Sequence, residues 1–80
     1  MSLELYHEVL EIYEKSGELM SEADTCGWIA LVYDKMNDPK NAIKFMKREM
    51  KIKKQLGYDD HIKQIQDHIK KINETGRLLD

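Results

Sequence analysis

Apolar residues recur at spacings of three and four along most of the chain, and no segment alternates apolar and polar residues with period two. Glycines and one proline divide this pattern, with Gly17, Gly57 and Gly76 at predicted helix ends and Asp38 capping a helix that Pro39 begins. Because the connections are short, neighbouring helices are expected to be antiparallel. The pattern predicts an all-α fold of antiparallel hairpins, with helices at about residues 2–16, 19–36, 39–56 and 60–75.

The fourth helix and the end of the chain carry weaker signals. Asp59 or Asp60 is predicted to cap that helix, since both precede its first apolar residue. Beyond Gly76 no apolar periodicity continues, so residues 77–80 are expected to fray.

The second half of the chain repeats the first. At a shift of forty residues Leu5 aligns with Phe45 and Ile12 with Ile52, and at a shift of thirty-nine the second helix aligns with the fourth. A period of this length built from two helices is typical of a helical solenoid. We therefore predict a solenoid fragment in which a complete A–B unit, residues 18–57, follows an unpaired B helix and precedes an A-like or capping helix. An ordinary four-helix bundle is the alternative.

One stretch of the repeat resembles a known family. Ile29-Ala30-x-x-Tyr33, the turn Asn37-Asp38-Pro39 and the run Ala42-Ile43-x-Phe45-Met46 resemble a tetratricopeptide repeat (TPR), in the longer variety of kinesin light chains. The resemblance implies that Ala30 and Ala42 lie where helices A and B approach most closely, and that Tyr33 packs across the pair. It also implies a TPR-like adaptor that binds segments of other proteins on the surface lined by A helices.

The second helix offers such a surface. Its core-facing side centres between Ala30 and Tyr33, so the only tryptophan, Trp28, is expected to point outward. Gly27 at the edge would leave room for an incoming backbone. An exposed aromatic residue flanked by charges is typical of a binding hot spot, although Trp28 packing on the fourth helix or on another copy is the alternative. The predicted partner-binding residues are Asp24, Gly27, Trp28, Leu31 and Lys35.

Charge is distributed unevenly. Residues 1–39 hold nine acids against two lysines, whereas residues 40–71 hold nine lysines and one arginine against four acids. At the repeat shift the acids of the first helix align with bases of the third, which predicts a ladder of exposed pairs. The aligned residues are Glu4, Glu8, Glu11 and Glu14 with Lys44, Arg48, Lys51 and Lys54. This ladder accounts for the asymmetry without nucleic acid, and no aromatic residues interleave the lysine stripe of the third helix as a base-stacking platform requires.

Composition indicates one small domain, residues 1–80, that is neither secreted nor membrane-bound. Of its residues 41% are hydrophobic and 35% charged, and a single cysteine forms no internal disulfide. No apolar run approaches the ~18 residues of a membrane span and no signal peptide opens the chain, so we expect a cytoplasmic protein.

No catalytic, metal or cofactor site is predicted. His61 and His68 are seven residues apart, ~10 Å along a helix, too far to share a metal ion. Cys26 falls on the apolar side of the second helix, which favours a core residue over a nucleophile. The chain is therefore expected not to be an enzyme.

Three functions remain open. The first is a non-catalytic adaptor that binds a protein segment. The second is self-assembly into a homodimer or a head-to-tail oligomer, through the acidic first helix and the basic last helix or through a coiled-coil seam of Ile62, Ile65, Ile69 and Ile72. The third, and least favoured, is nucleic-acid binding through the basic face of the third helix, which carries Lys40, Lys44, Lys47, Lys51 and Lys54.

Overall fold

Four α-helices joined by short turns form the fold. A computed structural model describes residues 2–78, and within that range it contains no strand. The helices are α1 (Leu3–Ser16), α2 (Leu19–Lys35), α3 (Pro39–Leu56) and α4 (Asp59–Thr75). Each predicted helix agrees with these bounds to within one residue, so the predicted all-α fold of four helices is confirmed.

Local capping explains most of the helix ends. The Asp38 carboxylate accepts a hydrogen bond from the Asn41 backbone N–H at 3.2 Å, and Pro39 follows as the first helical residue. Gly57 ends α3 in the left-handed conformation, with φ of 83°. The predicted cap of α4 is wrong, because Tyr58 precedes the helix and makes no side-chain cap hydrogen bond. Asp59 and Asp60 lie instead in the first turn, where their negative charge interacts favourably with the positive end of the helix dipole.

Ring contacts and one ion pair define the helix directions. Tyr33, near the end of α2, stacks on Phe45, near the start of α3, with ring centroids 5.8 Å apart. At the other end of the same hairpin, Lys53 Nζ lies 3.7 Å from Asp24 Oδ1. The two helices are therefore antiparallel, as predicted. His7 of α1 also contacts the Phe45 ring, with centroids 5.4 Å apart, which places the start of α1 beside the start of α3.

The four helices form an open arrangement. Cα atoms within 8 Å of each other join α1 to α2, α2 to α3 and α3 to α4, and over residues 2–78 none joins α1 or α2 to α4. The fold measures 36 × 29 × 15 Å, so it is flat. In a closed bundle of antiparallel helices the first and last helices pack together. The open arrangement therefore differs from the bundle alternative.

Small side chains bring α2 and α3 together. Cys26 and Ala30 of α2 and Ala42 of α3 are fully buried in one apolar cluster. Larger residues from all four helices surround them and complete one core. These larger core residues are Leu10, Ile29, Phe45, Met46, Ile65 and Ile72.

The isoleucine stripe of α4 belongs to this core. Ile65 and Ile72 are buried, and Ile69 packs against the core. Three of the four isoleucines of the proposed coiled-coil seam are therefore already packed within the molecule. The outer face of α4 is polar and consists of Lys63, Gln66, Asp67, Lys70, Asn73 and Glu74, all of which are exposed.

The outer edge of α1 is apolar and exposed. Ile12 is 62% exposed, whereas its repeat equivalent on α3, Ile52, is only 7% exposed. Leu5 is likewise exposed, while its repeat equivalent Phe45 is buried. The difference arises because α3 has neighbours on both sides and α1 has one on a single side.

The predicted charge ladder does not form. Within residues 2–78 a single ion pair joins α1 to α3, from Arg48 Nη2 to Glu14 Oε1 at 2.8 Å, whereas Glu11 pairs with Lys15 in its own helix. The alignment at the repeat shift had matched Arg48 with Glu8. Exposed pairs are worth only ~0–1 kcal/mol, and over residues 2–78 no Cα atoms of α1 and α3 lie within 8 Å of each other, so α1 is positioned mainly by its packing on α2.

The end of the described chain folds back onto α2. The Leu78 backbone N–H donates to Asp34 Oδ1 at 2.7 Å, and Asp34 is only 1% exposed. Lys71 Nζ donates to the Leu78 carbonyl at 2.9 Å. The expected fraying is therefore wrong for residues 77 and 78, and residues 79 and 80 lie outside the described residues.

Replacing Asp34 should test this link. In Asp34→Ala the Leu78 N–H loses a buried charged acceptor, and hydrogen bonds to charged groups contribute about 1.5–3 kcal/mol. We expect the free energy of unfolding, measured by urea denaturation with circular dichroism, to fall by about that amount. Asp67→Asn, on the exposed face of α4, is the matched control and should change it by less than about 0.5 kcal/mol. Equal effects of the two variants would contradict the role of Asp34.

Candidate protein-binding site

Trp28 stands on the outer side of α2. The inner side of this helix is occupied by the small and apolar residues of the core, so the large ring is placed away from α3. It is 57% exposed. The prediction that Trp28 points out of its own core is confirmed, and a ring this exposed is available to a further contact.

An open groove runs beside Trp28, between α2 and α4. Its volume is about 440 Å³, within the usual range for ligand sites of ~300–1,000 Å³. The α2 wall is formed by Asp24, Gly27, Trp28 and Leu31. Four of the five predicted partner-binding residues therefore lie together. Lys35 does not line the groove, because it lies one turn beyond Leu31, exposed at the end of α2.

The floor and far wall of the groove combine apolar and polar groups. Met46 of α3 and Ile65 of α4 are its buried apolar residues, and His68 lines the α4 wall. Leu78 also lines the groove, so the hydrogen bond between its N–H and Asp34 anchors part of the wall. The sequence did not single out the α4 residues or Leu78, because their position depends on how distant segments pack.

Three charged side chains form a network at the base of the groove. Lys53 Nζ lies 2.9 Å from Glu49 Oε2 and 3.7 Å from Asp24 Oδ1. The Lys53 side chain is 9% exposed, whereas Asp24 is 53% exposed. Two carboxylates share one ammonium group, so the network has one net negative charge. Asp24 is its exposed member.

Gly27 makes space for this network. A Cβ atom at Gly27 would lie 2.9 Å from Glu49 Oε2. The expectation that Gly27 leaves room for an incoming partner backbone is therefore wrong, because the Glu49 carboxylate occupies that space. The contact therefore links two unusual positions in the sequence: Glu49, an acid within the apolar arc of α3, and Gly27, a glycine in the interior of α2.

A second depression lies on the other side of Trp28, between α1 and α2. Its volume is about 330 Å³. Tyr6 and Tyr13 of α1 line it, and α2 contributes Asp24, Thr25 and Trp28. The Thr25 hydroxyl donates to the Ser21 carbonyl at 2.8 Å and so is already engaged. Asp24 and Trp28 thus form a ridge that borders both concavities.

Residues 2–78 offer little support for a metal site or a reactive cysteine. Over residues 2–78 no three His, Cys, Asp or Glu side chains group closely enough to hold a metal ion. Cys26 is fully buried, and burial raises the pKa of its thiol to about 11. None of the helices in this range combines the length and apolar character needed to span a bilayer.

Comparison of the chain with protein-family models, with curated protein sequences and with solved structures finds no match. The interpretation of the site therefore depends on its own geometry and chemistry.

The raised pKa of Cys26 predicts slow alkylation. A thiol with a pKa of about 11 remains protonated at pH 8, and the thiolate is the reactive form. We expect iodoacetamide at pH 8 to modify the native chain at least ~100-fold more slowly than the urea-unfolded chain, as followed by intact mass. Similar rates in the two states would contradict the burial of this thiol.

A double-mutant cycle should test the pairing of Gly27 with Glu49. In a Glu49→Ala background, Gly27→Ala meets no carboxylate and should stabilise the helix by about 0.5–1 kcal/mol. With Glu49 present the gain should shrink or reverse, because the carboxylate must move away from Lys53. Urea denaturation of the four proteins measures the coupling. The same gain in both backgrounds would show that the contact has no energetic effect.

Proposed function

We propose that this chain is a non-catalytic protein-binding module that holds a segment of a partner protein in the groove between α2 and α4. The single observation that carries the proposal is the 57% exposure of Trp28 beside an open groove of about 440 Å³. Binding hot spots are rich in tryptophan and centre on pockets that exclude water. A partner segment that covers this ring would therefore obtain the largest share of its binding free energy there.

The shape and chemistry of the groove favour a short segment with an apolar side chain. Leu31, Met46 and Ile65 provide apolar contact on three sides. The two nearly buried ions at the base, Lys53 and Glu49, are paired with each other at 2.9 Å, so an apolar side chain can enter without leaving a buried charge alone. A volume of about 440 Å³ suits one or two side chains. The resemblance to TPR adds support, since α2 and α4 are the predicted A helices.

Self-association through α1 is the second candidate. Leu5 and Ile12 leave an apolar edge exposed on this helix, and such an edge favours contact with another copy. A head-to-tail oligomer gains less support, because the outer face of α4 is polar. Dilution distinguishes the two functions. The sedimentation coefficient of a self-associating chain falls on dilution, whereas a chain that only binds a partner protein keeps the same sedimentation coefficient.

Selection from a library of displayed peptides, with the full chain as bait, tests the proposed function. We expect enriched peptides to carry an apolar residue and to compete for one site. Trp28→Ala should lower their affinity at least ~30-fold, as measured by calorimetry, because removing a hot-spot aromatic costs about 2 kcal/mol or more. Its stability should change little, since most of the ring is already in solvent.

Tyr58→Ala is the matched control, because Tyr58 is also an exposed aromatic residue but lies in the turn between α3 and α4. It should bind the same peptides with unchanged affinity. A selection that enriches no peptide dependent on Trp28 would contradict the proposed function.

A further inference from the structure

We propose that the depression between α1 and α2 recognises a positively charged side chain, lysine or arginine, in the bound partner segment. This inference rests on the proposed function, because the segment would cross the ridge of Trp28 and place an apolar residue on one side and a cation on the other. The depression would then select which segments bind.

The lining of the depression favours a cation. Three aromatic side chains, Tyr6, Tyr13 and Trp28, line it together with a single charged group, the Asp24 carboxylate. No lysine or arginine is among its lining residues. Aromatic faces attract ammonium and guanidinium groups, and tryptophan does so most strongly. A carboxylate beside them adds a charged hydrogen-bond acceptor.

The charge of Asp24 is incompletely satisfied within the chain. Its nearest cation is Lys53, whose Nζ lies 3.7 Å from Asp24 Oδ1 but 2.9 Å from Glu49 Oε2. Lys53 is nearly buried, while the Asp24 side chain is 53% exposed. The net negative charge of this network is therefore accessible from the side of Trp28, where a partner cation would complete the pairing.

The dimensions fit a long side chain. Tyr6 and Tyr13 are two helical turns apart on α1, ~10 Å along its axis, and the depression has a volume of about 330 Å³. The stem of an arginine or lysine can lie along the tyrosines while its charged end reaches Asp24. An acidic side chain would meet the carboxylate and be rejected.

Titration of the ¹⁵N-labelled full chain followed by NMR tests the inference directly. The probe is N-acetyl-argininamide, and its control is N-acetyl-citrullinamide, which has nearly the same shape without the charge. We expect the arginine probe to shift the Trp28 indole N–H and the amides around Tyr6 and Tyr13 in a saturable manner. The citrulline probe should bind at least fivefold more weakly. N-acetyl-lysinamide is a second cationic probe and should shift the same signals.

Two variants test whether the Asp24 carboxylate is the group that binds the cation. Asp24→Asn should weaken binding of the arginine probe at least fivefold while the remaining spectrum stays that of the folded chain. Asp67→Asn removes an exposed acid on the outer face of α4 and should leave binding unchanged. Equal binding of the arginine and citrulline probes would overturn the inference. Shifts confined to the acidic face of α1 around Glu4, Glu8 and Glu11 would also overturn it, as would unchanged binding of the arginine probe to Asp24→Asn.

Failure here is distinguishable from failure of the proposed function. If the selected peptides depend on Trp28 but lack lysine and arginine, the inference is wrong and the proposed function stands. If no peptide depends on Trp28, the proposed function fails, whereas the arginine titration still reports on the depression by itself.

Discussion

The close contact between α2 and α3 is the constraint on which the remaining structure depends. Ala30 and Ala42 are fully buried where these helices meet, and small side chains allow helix axes to approach. The inner side of α2 is filled by Cys26, Ile29 and Ala30, which leaves no space there for an indole ring. This explains why Trp28 lies on the outer side of α2, and why Gly27 can lie against the carboxylate of Glu49.

The groove depends on links that are far apart in sequence. No Cα atoms of α2 and α4 lie within 8 Å over residues 2–78, so α3 and the end of the chain position these two walls. Ile65 and Ile72 pack α4 into the core, and the hydrogen bond from the Leu78 N–H to Asp34 ties the segment after α4 to α2. The spacing of the walls is therefore set by apolar packing and by one charged hydrogen bond.

Sequence periodicity was sufficient for the helices and for the outward direction of Trp28, because both follow from local spacing. It failed where distant residues meet. Asp34 is one of nine acids in the first half of the chain and nothing near it indicates burial, since its partner Leu78 is 44 residues away. The ladder between α1 and α3 failed for a related reason: over residues 2–78 no Cα atoms of the two helices lie within 8 Å of each other, so the aligned side chains do not pair one for one. Lys35 was placed with Trp28 on a helical wheel, which ignores where the helix ends relative to its neighbours.

The position of the only indole in the chain gives the molecule a built-in optical reporter. Excitation at wavelengths that tyrosine does not absorb would collect emission from Trp28 alone. Because the ring is more than half in water, its emission in the unbound chain should be red-shifted, and coverage by any occupant should move it toward blue. Events at the ridge can thus be followed in the unmodified protein without attaching a dye.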